Sequence, residues 1–378
     1  MDSRSRDFRR VLIIPPASAG SLGDQAMVDA LAAQYKKSYG SKIFLYPDCF
    51  ELRSKYTCLN SAIFPQRITA TLSKLIAATA PTEINLLGAD NIDGRYGAGK
   101  ALARLKFLQF AHRMGKPVRV LGCSWSEAPA PSVRDAMRQA DWLTIYARDP
   151  LSRDRMERDF QRAVPLVADL AFLLEPGMTT ESAKMIFDFI TENKREDSTM
   201  IGVNISKAAI DRHQAKNIEP FERFLTQWIT AAPSRYIVFI PHDSRPGVND
   251  DFEVAHALVQ TLQSCAPGRV IAPEGPWNAW DAKAIVAELD LVLTSRMHLA
   301  IACLSMGTPP ACLPYANKFE GLLSYFELGE LSLDGERIGN DPAIAEKFDF
   351  LIANKGEMGA KILRNIDEIK KLSLKNIC

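Results

Sequence analysis

The chain has 378 residues, with 46 basic and 45 acidic side chains for a net charge of +1, and 47% of it is hydrophobic. That balance excludes a polycation held on nucleic acid by overall charge. The length exceeds what one core covers, so two domains of about 150–200 residues are expected. Seven cysteines (49, 58, 123, 265, 303, 312 and 378) form no C-x-x-C pair, which argues against a disulfide framework or a zinc site and fits a reducing compartment. No apolar run reaches the ~7–15 residues of a signal peptide or the ~20 of a membrane span. A soluble, cytoplasmic protein is therefore expected.

Strand Val11–Ile14 opens the chain and runs through Pro15-Pro16 into a loop of small residues ending at Gly23-Asp24, where a helix begins. A strand, a small-residue loop and a helix N-terminus build an anion- or sugar-binding first turn. The dinucleotide fingerprint is absent, because Gly20 and Gly23 stand alone. Asp24 reads either as a site residue or as a plain N-cap acid. Strands then alternate with helices: strand 42–46, helix 67–80, strand 83–88, helix 100–114, strand 118–122, helix 132–140, strand 142–146, helix 151–160 and strand 165–168. This spacing predicts a parallel sheet covered on both faces. Gly94 to Ala101 nearly spells a phosphate loop, but Ala101 replaces the hydroxyl that would hold magnesium. Asp90, Arg148-Asp149 and Asp169 fall at strand ends, where open α/β sheets keep their crevice. Helix caps and a structural ion pair are the competing reading, above all for Asp149 before Pro150.

Pro176 to Thr180 and the charged run 194–198 break the pattern and mark a hinge. A second α/β series follows, with strands at 200–205, 236–240, 269–271, 287–293 and 310–314. Asn204, His242-Asp243, Ser295-Arg296-Met297-His298 and Tyr315 to Lys318 all fall at ends of successive strands, so one doubly wound domain gathers them on one edge. Ser295 is expected as the cap of an apolar helix over 299–304. Two histidines, an arginine and a lysine suit an anionic substrate and proton transfer. The last segment, 354–375, is predicted helical from Ile362, Ile366, Ile369 and Leu372.

Gly23-Asp24, Arg148-Asp149 with Ser152, Ala168 to Phe172, Ser295 to His298 and Gly307-Thr308-Pro309…Tyr315-Ala316-Asn317-Lys318…Gly321 together resemble the polysaccharide pyruvyltransferase family over roughly residues 11 to 325. The chain departs from it at Leu87 to Asp90, where the family usually has a fuller glycine run.

The resemblance implies two Rossmann-like, doubly wound α/β domains facing across a cleft, as in the metal-independent GT-B glycosyltransferases. The expected parts are residues 1–178 on the acceptor side, 195–340 on the donor side, and a helical 341–378 packing back on the first domain. It implies transfer of the enolpyruvyl group of phosphoenolpyruvate to a sugar hydroxyl pair, giving a pyruvate ketal on a cell-surface polysaccharide or its lipid-linked precursor. No cofactor, metal or nucleic-acid partner is expected, and membrane association is at most peripheral. In this reading Ser295, Arg296, Lys318, His242, Asn204 and Tyr315 bind the donor, with Arg296 gripping an anionic group bidentately. Gly23, Asp24, Asp90, Arg148 and Asp149 bind the acceptor, and His298, Arg296 and Asp24 carry catalysis, with His298 as the acid. The rivals are a nucleotide-sugar glycosyltransferase on the same scaffold and a catalytically silent binding protein.

Overall fold

The computed structural model describes residues 9–16, 20–39, 42–45, 57–58, 81–212, 218–245, 250–314 and 319–377. In chain order the first series is β1 (Arg10–Ile14), α1 (Leu22–Tyr39), β2 (Lys42–Leu45), β3 (Thr57–Cys58), β4 (Glu83–Ala89), α2 (Ala98–Arg113), β5 (Val118–Cys123), α3 (Pro131–Arg138), β6 (Thr144–Ala147) and α4 (Pro150–Phe160). Its six strands are parallel in the order β3-β2-β1-β4-β5-β6. Val11 to Ile14 are all buried, the near-continuous apolar run that a strand covered on both faces demands. One face of the sheet packs Leu12, Ile84, Leu86, Val120 and Ile145 against apolar side chains of α2, α3 and α4. The helix expected at 67–80 lies outside the described residues.

The second series is α5 (Glu181–Asn193), β7 (Thr199–Asn204), α6 (Lys207–Arg212), α7 (Glu219–Thr230), β8 (Arg235–Phe239), α8 (Asp251–Cys265), β9 (Val270–Ile271), α9 (Ala279–Val286), β10 (Leu291–Thr294), α10 (Met297–Met306), β11 (Pro310–Cys312), α11 (Phe319–Ser324), α12 (Pro342–Ala353) and α13 (Lys355–Leu374). Its five strands are also parallel, in the order β11-β10-β7-β8-β9. Numbered within each series, the first sheet winds 3-2-1-4-5-6 and the second 3-2-1-4-5, the doubly wound order whose direction reverses between strands 1 and 4. That switch point falls between β1 and β4 in one sheet and between β7 and β10 in the other.

Two compact units result. The first holds residues up to 19, 24–173 and 370 onward, and the second holds 20–23 and 174–369. Ser373 Oγ donates to the Asp169 carbonyl at 2.8 Å, and Asn376 Nδ2 donates to the Ala168 carbonyl at 3.0 Å. The chain's last turn is thereby tied into the first unit.

Two elements differ from the sequence reading. Residues 165–168 form only an isolated bridge, Ala147 to Leu166, because Pro165 brings no N–H and the chain turns at once into a 3-10 helix, Leu170–Leu173. The strand expected from 287 starts instead at Leu291, since Ala287 closes α9.

Candidate functional site

β10 and α10 meet at the second unit's switch point. Leu291 to Thr294 are fully buried, and in α10 every residue from Leu299 to Ser305 is buried. Burying one such apolar side chain contributes about 1.5–3 kcal/mol, so this junction is rigid. Gly307 stops α10 in a left-handed conformation, φ 82°, as a helix C-cap requires. At the other end the cap is Arg296, in extended backbone, and Thr294 Oγ1 accepts its N–H at 2.9 Å.

Ser295 is therefore not the cap. Its side chain is fully buried, and its Oγ accepts the Ser206 N–H at 2.9 Å and sits 3.1 Å from Ser206 Oγ. Asn204 is likewise internal. Its Nδ2 donates to the Ile240 carbonyl (3.1 Å) and to Asp251 Oδ2 (2.9 Å), while its Oδ1 lies 3.3 Å from Thr294 Oγ1. Both residues, expected at the donor, join strand ends across the switch point.

Arg296 differs too. Its Nε and Nη2 reach Asp251 Oδ2 and Oδ1 at 3.1 and 2.7 Å, and its Nη1 lies 3.2 Å from Asp243 Oδ2. The bidentate edge reserved for an anionic ligand is thus filled by Asp251, the geometry in which this pair is strongest. Asp251 also accepts the backbone N–H of His242 at 3.1 Å. Burial nevertheless holds its carboxyl above the usual range, against the opposing pull of Arg296. Asp243 is paired a second time, to Arg245. Two guanidiniums and two carboxylates make this cluster neutral in sum.

His242 and His298 complete the site. His298 is the second residue of α10 and half-buried. Gly23 lies against it so closely that an added Cβ would fall 2.3 Å from Nδ1, so the imidazole occupies the space a side chain at 23 would take. Residues 20–23 are strapped to the same place. Ser244 N donates to Gly20 O at 2.8 Å, Leu22 N donates to His242 O at 3.2 Å, and Ser21 bridges Asp243. His242 is only 4% exposed, and neither of its ring nitrogens has a hydrogen-bond partner among the described residues. Burial, then the charges of His298 and Arg296, push its basicity well below the ordinary 6.5. Both effects favour the neutral imidazole.

The first unit's strand ends are built otherwise. Arg148 Nη1 meets Asp169 Oδ2 at 3.0 Å with both side chains 3% exposed, and Arg148 Nε donates to Ser124 Oγ at 2.7 Å. Asp149 caps α4, its Oδ1 accepting Ser152 N at 2.8 Å and its Oδ2 accepting Ser152 Oγ at 2.7 Å. Arg148 and Asp149, expected at the acceptor, thus each hold partners within their own unit. Asp90 is half-buried and accepts the Tyr96 hydroxyl at 3.0 Å. Asp24 lies buried in the first turn of α1. Tyr315 and Lys318 lie outside the described residues. The near-phosphate-loop forms turns before α2, where Gly97 takes φ 117°.

Sequence reading missed Asp251 and Arg245. The signal for Asp251 was available: α8 opens on Asp250-Asp251, and the cap needs only the first, whose side chain accepts Phe252 N. Among the described residues no group of three or more His, Cys, Asp or Glu could hold a metal, and no helix is long and apolar enough to cross a membrane.

Comparison with known proteins places this geometry. The family model for polysaccharide pyruvyl transferase matches residues 22–317. The amylovoran biosynthesis protein AmsJ of Erwinia amylovora is 23% identical over 287 residues, covering 71% of this chain and 67% of that protein. Among solved structures, the UDP-GlcNAc 2-epimerase of Neisseria meningitidis aligns with a TM-score of 0.60 at 13% identity, covering 97% of this chain and 99% of that one. A glycosyltransferase from Rickettsia africae aligns with a TM-score of 0.54 at 8% identity, covering 98% and 99%. At such identities these structures share the fold alone, the GT-B type of two Rossmann-like units. By its sequence match over both units, the chain belongs to the polysaccharide pyruvyl transferase family.

Proposed function

We propose that this protein moves the enolpyruvyl group of phosphoenolpyruvate onto a pair of sugar hydroxyls, forming a pyruvate ketal on a polysaccharide or its lipid-linked precursor at the inner face of the cytoplasmic membrane. The observation that carries this reading is the family match over residues 22–317, which includes His242, Arg296 and His298. Because Arg245 and Arg296 are matched by Asp243 and Asp251, a trianionic donor would rely on the N-terminus of α10 and on His298, with Lys318 adding a point charge. Arg296 then acts as the pillar that fixes the helix start, rather than as a bidentate clamp.

In the proposed reaction His298 gives a proton to the methylene carbon of the donor, and one sugar hydroxyl bonds to the adjacent carbon. The second hydroxyl closes the ketal there as the carbon–oxygen bond to phosphate breaks, its electron pair leaving with phosphate. A general acid is worth about 10²–10⁴-fold in rate. His298→Ala should therefore lose that much phosphate release with a panel of lipid-linked sugars, and near-normal release would refute the assignment. Phosphoenolpyruvate should raise the melting temperature and a nucleoside diphosphate should not. The opposite pattern would move the chain to nucleotide-sugar chemistry.

A further inference from the structure

We infer that His242 is the base that takes the proton of the attacking sugar hydroxyl. This rests on the transfer reaction proposed above. The carboxylates at the strand ends are otherwise engaged. Both oxygens of Asp149 are held by Ser152, and Asp243 and Asp251 are locked on Arg245 and Arg296. Within the second unit's cluster, His242 is buried with two ring nitrogens that meet no partner among the described residues. An orphaned buried polar group destabilises the fold, and proteins keep such groups where a ligand completes them. Its backbone is pinned at both ends, by Asp251 on the N–H and by Leu22 on the carbonyl, so the ring is held ready.

The groups facing it are known. Arg296 and His298 come from the start of α10, Asp251 from the start of α8, and Asp243 and Arg245 follow in its own turn. Burial first, and then the neighbouring charge of Arg296, favour the neutral imidazole, in which one nitrogen is a lone-pair acceptor and the other a donor. Binding a trianionic donor beside it reverses the local field and strengthens the base when it is needed. In the step assigned to it, the hydroxyl O–H bond breaks, the oxygen bonds to the electrophilic carbon, and the proton passes to the ring nitrogen. His242 then hands that proton to the departing phosphate and ends neutral. His298 recovers its own proton from the second hydroxyl, so charge and hydrogens balance.

The test uses the full chain, phosphoenolpyruvate and the lipid-linked sugars. His242→Gln should lose about 10²–10⁴-fold in phosphate release while keeping its thermal shift with phosphoenolpyruvate. His242→Ala should regain at least about tenfold on addition of free imidazole, a rescue that a packing role cannot give. Turnover of His242→Gln within about threefold of wild type, or donor binding without rescue in His242→Ala, overturns the inference. Should neither variant fold, ¹⁵N-histidine spectra of the wild-type chain, which has five histidines, decide it. With donor bound, the His242 ring nitrogens should shift when acceptor is added, and unmoved nitrogens overturn the assignment. If the wild-type chain itself neither binds phosphoenolpyruvate nor releases phosphate from it, the transfer reading fails instead.

Discussion

The two sheets wind in one order and both place an arginine against buried aspartate at their strand ends, yet the two ends are finished differently. In the first unit Arg148, Asp169, Ser124, Asp149 and Ser152 satisfy one another. In the second, Arg296, Asp251 and Asp243 do the same, but the cluster also holds His242, with no partner on its ring, and His298, seated on a bare glycine. A closed network stabilises. A network left open at one titratable group is prepared to react.

Removing each arginine breaks that comparison hardest. Arg148→Ala strands Asp169 in a buried place, and breaking such a pair costs about 3–5 kcal/mol. Arg296→Ala takes the cation from Asp251, while Asp243 keeps Arg245, and should cost about as much. The two variants should part in function: Arg148→Ala is expected to keep the melting shift with phosphoenolpyruvate and Arg296→Ala to lose it. Hydrogen exchange resolved by peptide would place each loss in its own unit. If a folded Arg148→Ala lost turnover by raising only the acceptor KM, the first unit's network would be an acceptor site after all.

How much of this the sequence could reveal follows from what each signal rests on. The strands and helices were legible because alternation and period depend on local spacing, and β1, β4, β5 and α10 stand within one or two residues of expectation. That Asn204, Ser295, Arg296 and His242 lie at strand ends on one sheet edge was legible from the alternation of strands and helices. Which of them face a ligand was not, because that depends on partners far along the chain. Asp251 lies 45 residues before Arg296, and Ser206 lies 89 residues before Ser295. A hydroxyl at a strand end looks the same in sequence whether it caps a helix or is sealed against another strand. Gly23 read as part of a sugar-binding turn, and its packing against His298 is a tertiary fact.

Gly23→Ala sharpens the comparison by disturbing only the open network. The added methyl must displace the His298 ring, and overpacking of this kind costs about 1–3 kcal/mol. The expected result is a modest fall in stability with a larger fall in kcat, read by denaturation and phosphate release on the same sample. Equal turnover in Gly23→Ala would mean that the position of His298 does not matter to the reaction.

The gentlest probe is pH, and its sign follows from burial. His242 binds a proton less readily in the folded chain than in the unfolded one, its folded value lying well below 6.5. Between the two values the unfolded state carries more protons, so stability rises with pH there and is lost as pH falls below about 6.5. One proton contributes a slope of at most about 1.4 kcal/mol per pH unit. Asp251 acts in the opposite sense at lower pH. Its folded value lies above the ordinary 3.8, so the folded chain holds that proton more tightly, and acid relieves part of the strain that ionisation imposes. The melting temperature should therefore fall on acidification below about 6.5 and flatten as the carboxylate range is reached. His242→Gln should abolish the first limb and keep the second. Phosphoenolpyruvate should shorten the first limb from its acid end, because a bound anion raises the folded value of His242 toward the ordinary 6.5 while the unfolded value stays where it is. A limb that survives His242→Gln unchanged would show that another group carries it and that the buried imidazole is not the group left open.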